Sequence, residues 1–236
     1  MNSQTIWWHF DQMVDDIEIF TVDLAHDPSR EELALQHLDA DEMARFQAFR
    51  VDSARRQFLL SRACLRLMIA KRLDIDPSRL RFCHSPYGKP YAVVEGEPAP
   101  VSFNISHSGE YGLFVVTESR CVGIDLEERR SLDDHDAIAA QVFGDHEKRA
   151  LFHLSGAKRL DLFYRLWTCK EALIKARGSG FSYNPSRFQV PDAILEGKRT
   201  ASFCFPNEEA VRWSVTDLSG QRYAAALAYR CNHLSS

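Results

Sequence analysis

Helix-period and strand-period segments come in blocks in this chain, not one by one, and that order restricts its fold more than any other feature. Pro28 to Arg45 and Phe49 to Leu73 read as helices, the second with Phe58, Leu59, Leu65, Leu67 and Met68 at helical spacing. Val101 to Ile105 and Tyr111 to Thr117 read as strands joined by Ser106-His107-Ser108-Gly109-Glu110. Cys121 to Glu127 alternates, with Val122, Ile124 and Leu126 apolar. Helical patterns return over 136 to 153 and 158 to 177, the latter with Leu162, Leu166, Cys169 and Leu173 on one stripe and Gly178 as its stop. Residues 200 to 230 are strand-like again, and Ile17 to Leu24 suits a half-buried edge strand.

The expected fold is therefore α+β, in two halves, 1–119 and 120–236, each with a helical and a strand part and no repeat at a fixed sequence period. Regular strand-helix alternation with a GxGxxG turn is absent, which argues against a dinucleotide-binding sheet. At 236 residues and 45% hydrophobic the chain can bury real cores. Lys plus Arg number 29 against 33 Asp plus Glu, a net charge of −4, so a general nucleic-acid binder is not expected and an anionic ligand needs a local basic cluster. Arg55, Arg56, Arg62 and Arg66 share one face of the second helix, either as a solvated surface or as such a cluster. Six cysteines without a CxxC pair read as reduced, mostly core thiols. With no signal-peptide pattern and no apolar run of membrane-spanning length, the expected location is the cytoplasm.

Asp125 and Glu127 stand two apart on a strand and project from one face, as metal ligands do, or as any half-buried strand shows acids to water. Glu171 lies on the amphipathic helix with Lys175 four residues on, which is either an ordinary helix ion pair or a third acid converging on the first two. Trp167 to Lys175 places Lys170 and Lys175 beside that carboxylate, an arrangement open to Mg²⁺ and a polyphosphate. His107, between Ser106 and Ser108 in a polar turn, can donate to a phosphate or cap the turn. Lys89, set in Tyr87-Gly88-Lys89-Pro90, is either a point charge for a phosphate or an exposed turn lysine.

Four blocks together resemble the 4′-phosphopantetheinyl transferases of the monomeric, surfactin-synthetase-activating type: Tyr-Gly-Lys-Pro at 87–90, Phe-Asn-Ile-Ser-His-Ser-Gly at 103–109, Val-Gly-Ile-Asp-Leu-Glu at 122–127, and Trp-Thr-Cys-Lys-Glu-Ala-Leu-Ile-Lys-Ala-Arg-Gly at 167–178. Upstream, Asp41-Glu42, Arg45 and Ala54-Arg55-Arg56-Gln57-Phe58 look like the family's N-terminal helical segment. The resemblance implies two similar α+β halves related by a pseudo-two-fold, the first gripping a nucleotide and the second carrying the metal ligands and catalytic helix. It implies transfer of phosphopantetheine from coenzyme A to a serine of an apo acyl, peptidyl or aryl carrier protein, with release of 3′,5′-ADP. By the same resemblance Asp125, Glu127 and Glu171 hold Mg²⁺, for which Mn²⁺ can substitute, and Lys175 neutralises or protonates the departing phosphate. Ser106 and His107 bind a phosphate, Lys89 with Arg56 or Arg45 grips the 3′-phosphate, and Glu171, or else Glu127 or a metal-bound water, takes the serine proton. On its apolar stripe Cys169 reads as a core residue, and Arg177, Gly178, Gly180 and Phe181 read as carrier contacts, although a helix-ending turn explains the glycines equally well. The rival expectations are a Mg²⁺-dependent phosphodiesterase, which leaves the Gly-Lys-Pro and Ser-His blocks unexplained, and a binding module without turnover.

Overall fold

The computed structural model describes residues 7–118, 120–130, 135–180 and 183–231. These form two compact units. The first comprises the described residues up to Ser85 together with Pro90–Glu118, and the second comprises Pro86–Lys89 and those from 120 onward.

In the first unit the elements run β1 (Trp8–Val14), β2 (Ile17–Asp23), α1 (Pro28–Leu35), α2 (Ala40–Ala48), α3 (Asp52–Leu73), β3 (Leu80–His84), β4 (Pro90–Val94), β5 (Glu97–Pro98), β6 (Ser102–Ser108) and β7 (Tyr111–Thr117). One antiparallel sheet has the order β1-β2-β7-β6 and a smaller one β3-β4-β5. The predicted edge strand is thus interior, because the largely exposed β1, whose polar side chains hide its strand pattern, pairs along its outer side.

The helix expected over 28–45 is two. Asp39 accepts the Glu42 N–H while Glu42 accepts the Asp39 N–H, a reciprocal cap that starts α2 afresh. Arg66, read from sequence as part of a basic face, is fully internal. It donates to Asp39 (2.9 Å), Glu42 (2.6 Å) and the carbonyls of Pro77 (3.0 Å) and Leu80, tying α3 to the cap of α2 and to the start of β3. Leu59, Leu60, Ala63 and Cys64 of α3 pack with Val22, Phe103, Phe114 and Val116 of the sheet as this unit's core.

The second unit runs β8 (Val122–Glu128), α4 (His135–Val142), α5 (Asp145–Phe152), α6 (Gly156–Arg177), α7 (Asp192–Leu195), β9 (Thr200–Phe203), β10 (Trp213–Asp217) and β11 (Tyr223–Arg230), with sheet order β8-β11-β10-β9. The single helix expected over 136–153 is broken at Gly144, which caps α5 and donates its N–H to Glu147. Gly178, in the left-handed region at φ 77°, stops α6 as its sequence position predicts.

The two units share one wiring. In each, a strand (β2, β8) leads through helices to later strands, and the last strand (β7, β11) returns antiparallel between the first strand and its own predecessor. Each also has a 22-residue helix. The duplication is in topology, which explains why no sequence period betrays it.

The face of β8 that receives α6 differs from the expected one. Gly123, Asp125 and Glu127 share a face with their partners Ala228, Ala226 and Ala224 on β11, and those alanines pack with Leu166, Cys169, Ala172, Leu173 and Ala176 of α6. The opposite face, Val122, Ile124 and Leu126, is buried as well. The acids therefore line a helix-sheet contact, not a solvent face. Small residues make that contact close: a Cβ on Gly123 would stand 2.3 Å from both the Ala172 carbonyl oxygen and the Ala176 nitrogen.

No helix among the described residues is long and apolar enough to cross a membrane.

Candidate functional site

The close seating of α6 on β8 brings the second unit's charged residues together. The Lys175 ammonium donates to Asp125 Oδ1 at 2.6 Å and to the Ile124 carbonyl at 3.2 Å, and Asp125 is 3% exposed. Glu171 lies one turn back on α6. Burial raises its carboxyl pKa above the ordinary value, neighbouring Asp125 and Glu127 raise it further, and Lys175 opposes them. All four residues singled out from sequence as catalytic or metal-binding in this half thus share one electrostatic neighbourhood. Lys175 pairs with Asp125 across the contact, not with Glu171 along the helix as an i,i+4 pair.

Among the described residues no three or more acid, histidine or cysteine side chains are assembled to ligate one ion as they stand. The lysine ammonium on Asp125 supplies the local positive charge. The donor set nevertheless fits Mg²⁺: the three carboxylates offer hard oxygens, and the mutual repulsion that raises the Glu171 pKa is what a divalent cation relieves.

Lys170 does not join this group. Its ammonium is fully buried on the far side of α6, bonded to Glu147 (2.9 Å) and to the carbonyls of Pro185 (2.9 Å) and Phe188 (2.5 Å). Glu147 in turn accepts the N–H groups of Gly144 (2.8 Å) and Val190 (2.7 Å). The expectation of two lysines beside that carboxylate is corrected to one, because Lys170, adjacent to Glu171 in sequence, projects from a different face of the helix than Glu171 and Lys175. Glu147 had no motif to reveal it. Cys169 is fully buried, and burial pushes its thiol far above the ordinary value, as suits a core residue.

Lys89 also departs from expectation. Its ammonium donates to the carbonyls of Lys175 (2.9 Å), Val122 (3.0 Å) and Ala176 (3.4 Å), and its pKa is lowered by burial. It is not an exposed turn lysine. Arg177 lies over the rings of Tyr183 (4.4 Å) and Phe205 (5.3 Å) and pairs with Glu208 (2.5 Å), so its charge is spent internally. Gly178 and Gly180 both have positive φ, and Phe181 lies outside the described residues.

A second charged group belongs to the first unit. Arg62, on α3, lies over the rings of Phe82 (4.6 Å) and Phe58 (5.7 Å), and Arg45, from the last turn of α2, lies over Phe58 from another side (5.1 Å). His84, at the end of β3, has its pKa lowered by burial and then by Arg62 and Arg45, which places all three in one positive field. Arg62 itself is depressed by burial first, with Glu42 opposing and Arg45 and Arg66 adding to the depression. Arg56 is not in this group; its Nε donates to the Leu24 carbonyl at 3.2 Å. Of the two expected arginines the cluster includes Arg45. His84 was missed because a lone histidine three residues before Tyr87 has no helical or strand pattern to mark it.

Ser106 and His107 lie on β6, opposite Leu113 and Gly112 of β7, because only Gly109 and Glu110 form the turn. Adjacent strand residues point to opposite faces, so Ser106 is buried and His107 exposed.

Residues 121–228 match the model described as the 4′-phosphopantetheinyl transferase superfamily, and 25–119 match one described as 4′-phosphopantetheinyl transferase, N-terminal. The 4′-phosphopantetheinyl transferase HetI of Nostoc is 32% identical over 168 residues, 71% of each chain. A protein of Synechocystis named as a 4′-phosphopantetheinyl transferase is 38% identical over 158 residues, covering 67% of this chain and 63% of its own. The 4′-phosphopantetheinyl transferase Sfp of Bacillus subtilis is 33% identical over 132 residues, 56% of each.

Proposed function

The chain belongs to the 4′-phosphopantetheinyl transferase superfamily, and from that premise we propose that it transfers 4′-phosphopantetheine from coenzyme A to a serine hydroxyl of an apo acyl, peptidyl or aryl carrier protein, releasing 3′,5′-ADP. The observation that carries the reading is the convergence of Asp125, Glu127, Glu171 and Lys175 at the α6–β8 contact.

In this reading the serine oxygen attacks the phosphorus that bears pantetheine, the bond from that phosphorus to the bridging oxygen of 3′,5′-ADP breaks, and the electron pair leaves with the nucleotide. Glu171 takes the serine proton. Lys175 balances charge developing on the departing phosphate. Asp125, Glu127 and Glu171 would hold Mg²⁺, or Mn²⁺ in its place, and the ion would supply Lewis-acid charge and a template for the pyrophosphate. Phosphoryl transfer asks mainly for alignment and charge stabilisation, so no enzyme nucleophile is needed and Cys169 stays in the core.

The basic-aromatic cluster of the first unit takes the 3′-phosphate. Arg45, with Arg62 and His84 beside it, fills the role for which Arg56 and Lys89 were also candidates from sequence. His107, from the exposed face of β6, takes a second phosphate oxygen. The division at 119/120 then separates nucleotide-gripping residues from metal ligands. We assign the enzyme to the cytoplasm as a monomer that binds no nucleic acid, acting on carriers of polyketide, nonribosomal peptide or fatty acid synthesis. Gel-filtration mass tests the monomer.

The decisive test is the intact mass of an apo carrier protein after incubation with the enzyme, coenzyme A and Mg²⁺, beside an EDTA control and Asp125→Ala. A gain of one phosphopantetheine that vanishes in both controls is the expected result. Coenzyme A binding without any gain on several unrelated carriers refutes turnover.

A further inference from the structure

We propose that Lys89 is a positioning residue, not a phosphate ligand: its ammonium holds the last carbonyls of α6 and so fixes where Lys175 stands on Asp125. The proposal deepens the transferase reading and rests on it.

A helix leaves its last four carbonyls without intrahelical partners, and a cation is favoured there by the helix dipole. At the end of α6 the Gly178 N–H takes the Ile174 carbonyl at 3.0 Å. Lys89 takes the next two, Lys175 at 2.9 Å and Ala176 at 3.4 Å, and reaches Val122 on β8 at 3.0 Å. An ammonium has three donors, and three carbonyls engage them.

The seat for this turn is built on both sides. A Cβ on Gly178 would meet the Lys89 side chain at 3.4 Å, and one on Gly180 would stand 2.9 Å from the Tyr87 carbonyl oxygen. Both glycines have positive φ, 77° and 54°. The Tyr-Gly-Lys-Pro turn and the glycines that follow the catalytic helix are therefore two sides of one contact. Lys175 lies within it: Lys89 holds its carbonyl, while its own ammonium binds Asp125 at 2.6 Å. Loosening the latch frees the backbone that carries the lysine, and misplacing a reacting group by about 1 Å can cost roughly 100-fold in rate.

The experiment compares Lys89→Met and Lys89→Gln with wild type, using coenzyme A and dephospho-coenzyme A, which lacks the 3′-phosphate. Amide hydrogen exchange over 176–180 is measured on the same proteins. The expected result is a kcat lowered by about 10- to 100-fold in Lys89→Met, with the ratio of kcat/KM for the two substrates unchanged and faster exchange at Gly178. Lys89→Gln, which keeps N–H donors without the charge, retains more of kcat than Lys89→Met. A ratio that collapses towards one in both variants makes Lys89 a phosphate ligand and overturns the proposal. So does a lowered melting temperature with kcat intact, or exchange unchanged from wild type. Absence of transfer by the wild-type enzyme refutes the transferase reading, and the exchange arm still decides whether Lys89 latches the helix.

Discussion

Replacing Lys170 by Met tests how the second unit is held together. The substitution fits the volume but strands the buried Glu147 carboxylate, which loses its cation at 2.9 Å and keeps only the N–H groups of Gly144 and Val190. It also strands the carbonyls of Pro185 and Phe188. Removing one partner of a buried pair costs about 3–5 kcal/mol. An independent bound comes from protonation: a carboxyl of ordinary pKa near 4.3 takes up a proton at pH 7 for about 4 kcal/mol. The charge penalty cannot exceed that, because the folded variant then simply binds the proton.

The two estimates agree, and the second supplies a signature. The cost of Lys170→Met should shrink by about 1.4 kcal/mol per pH unit on acidification, from about 4 kcal/mol at pH 7 to roughly 1–2 kcal/mol at pH 5. Denaturant titrations at both pH values measure it, and at pH 7 a melting-temperature loss of about 8–16 °C should accompany it. In Glu147→Gln/Lys170→Met no carboxylate is left, so the pH dependence should disappear and part of the stability return. A cost below about 1 kcal/mol at pH 7, or one equal at pH 5 and pH 7, would refute the reasoning.

Gly123→Ala should be far more damaging than its single methyl suggests. With backbone atoms of α6 at 2.3 Å and little room to yield, it should cost about 3 kcal/mol or more and abolish transfer in whatever fraction folds, as circular dichroism melts and the carrier mass assay would register. His84 predicts an acid dependence. Its folded pKa lies below the ordinary histidine value of 6.5, so its share of stability is intact above that value and lost as pH falls through the folded pKa. Melts between pH 7.5 and 5 should show wild type losing more stability than His84→Gln, and equal losses would contradict the placement of His84 beside Arg62 and Arg45.

What sequence made legible was set by local pattern. The stripe Leu162, Leu166, Cys169 and Leu173 and the stop at Gly178 located α6, and the period of two located β8 and the acids on it. What could not be read were interactions that join distant segments. Nothing near Lys170 announces Glu147, and nothing in a helix face of arginines distinguishes Arg66, buried on Asp39 and Glu42, from Arg62 beside Arg45. Helix breaks at Asp39 and Gly144 were missed because capping side chains override a continuous apolar period. Asp125 and Glu127 were rightly paired on one face, but only the packing of α6 shows that face to be a covered one.

The shared wiring of the units sets the order in which a growing chain can become competent. Each sheet is completed by a strand that slots between two earlier ones, so the first unit can close once Thr117 has emerged from the ribosome. β8, with both of its acids already synthesised, must wait for Tyr223–Arg230 before it has a neighbour. Long-range pairing of this kind is slow and leaves strand edges open meanwhile. Nascent chains halted between 128 and 222 should therefore hold a protease-resistant first unit and a second half that is still cut readily, with Asp125 and Lys175 not yet held together.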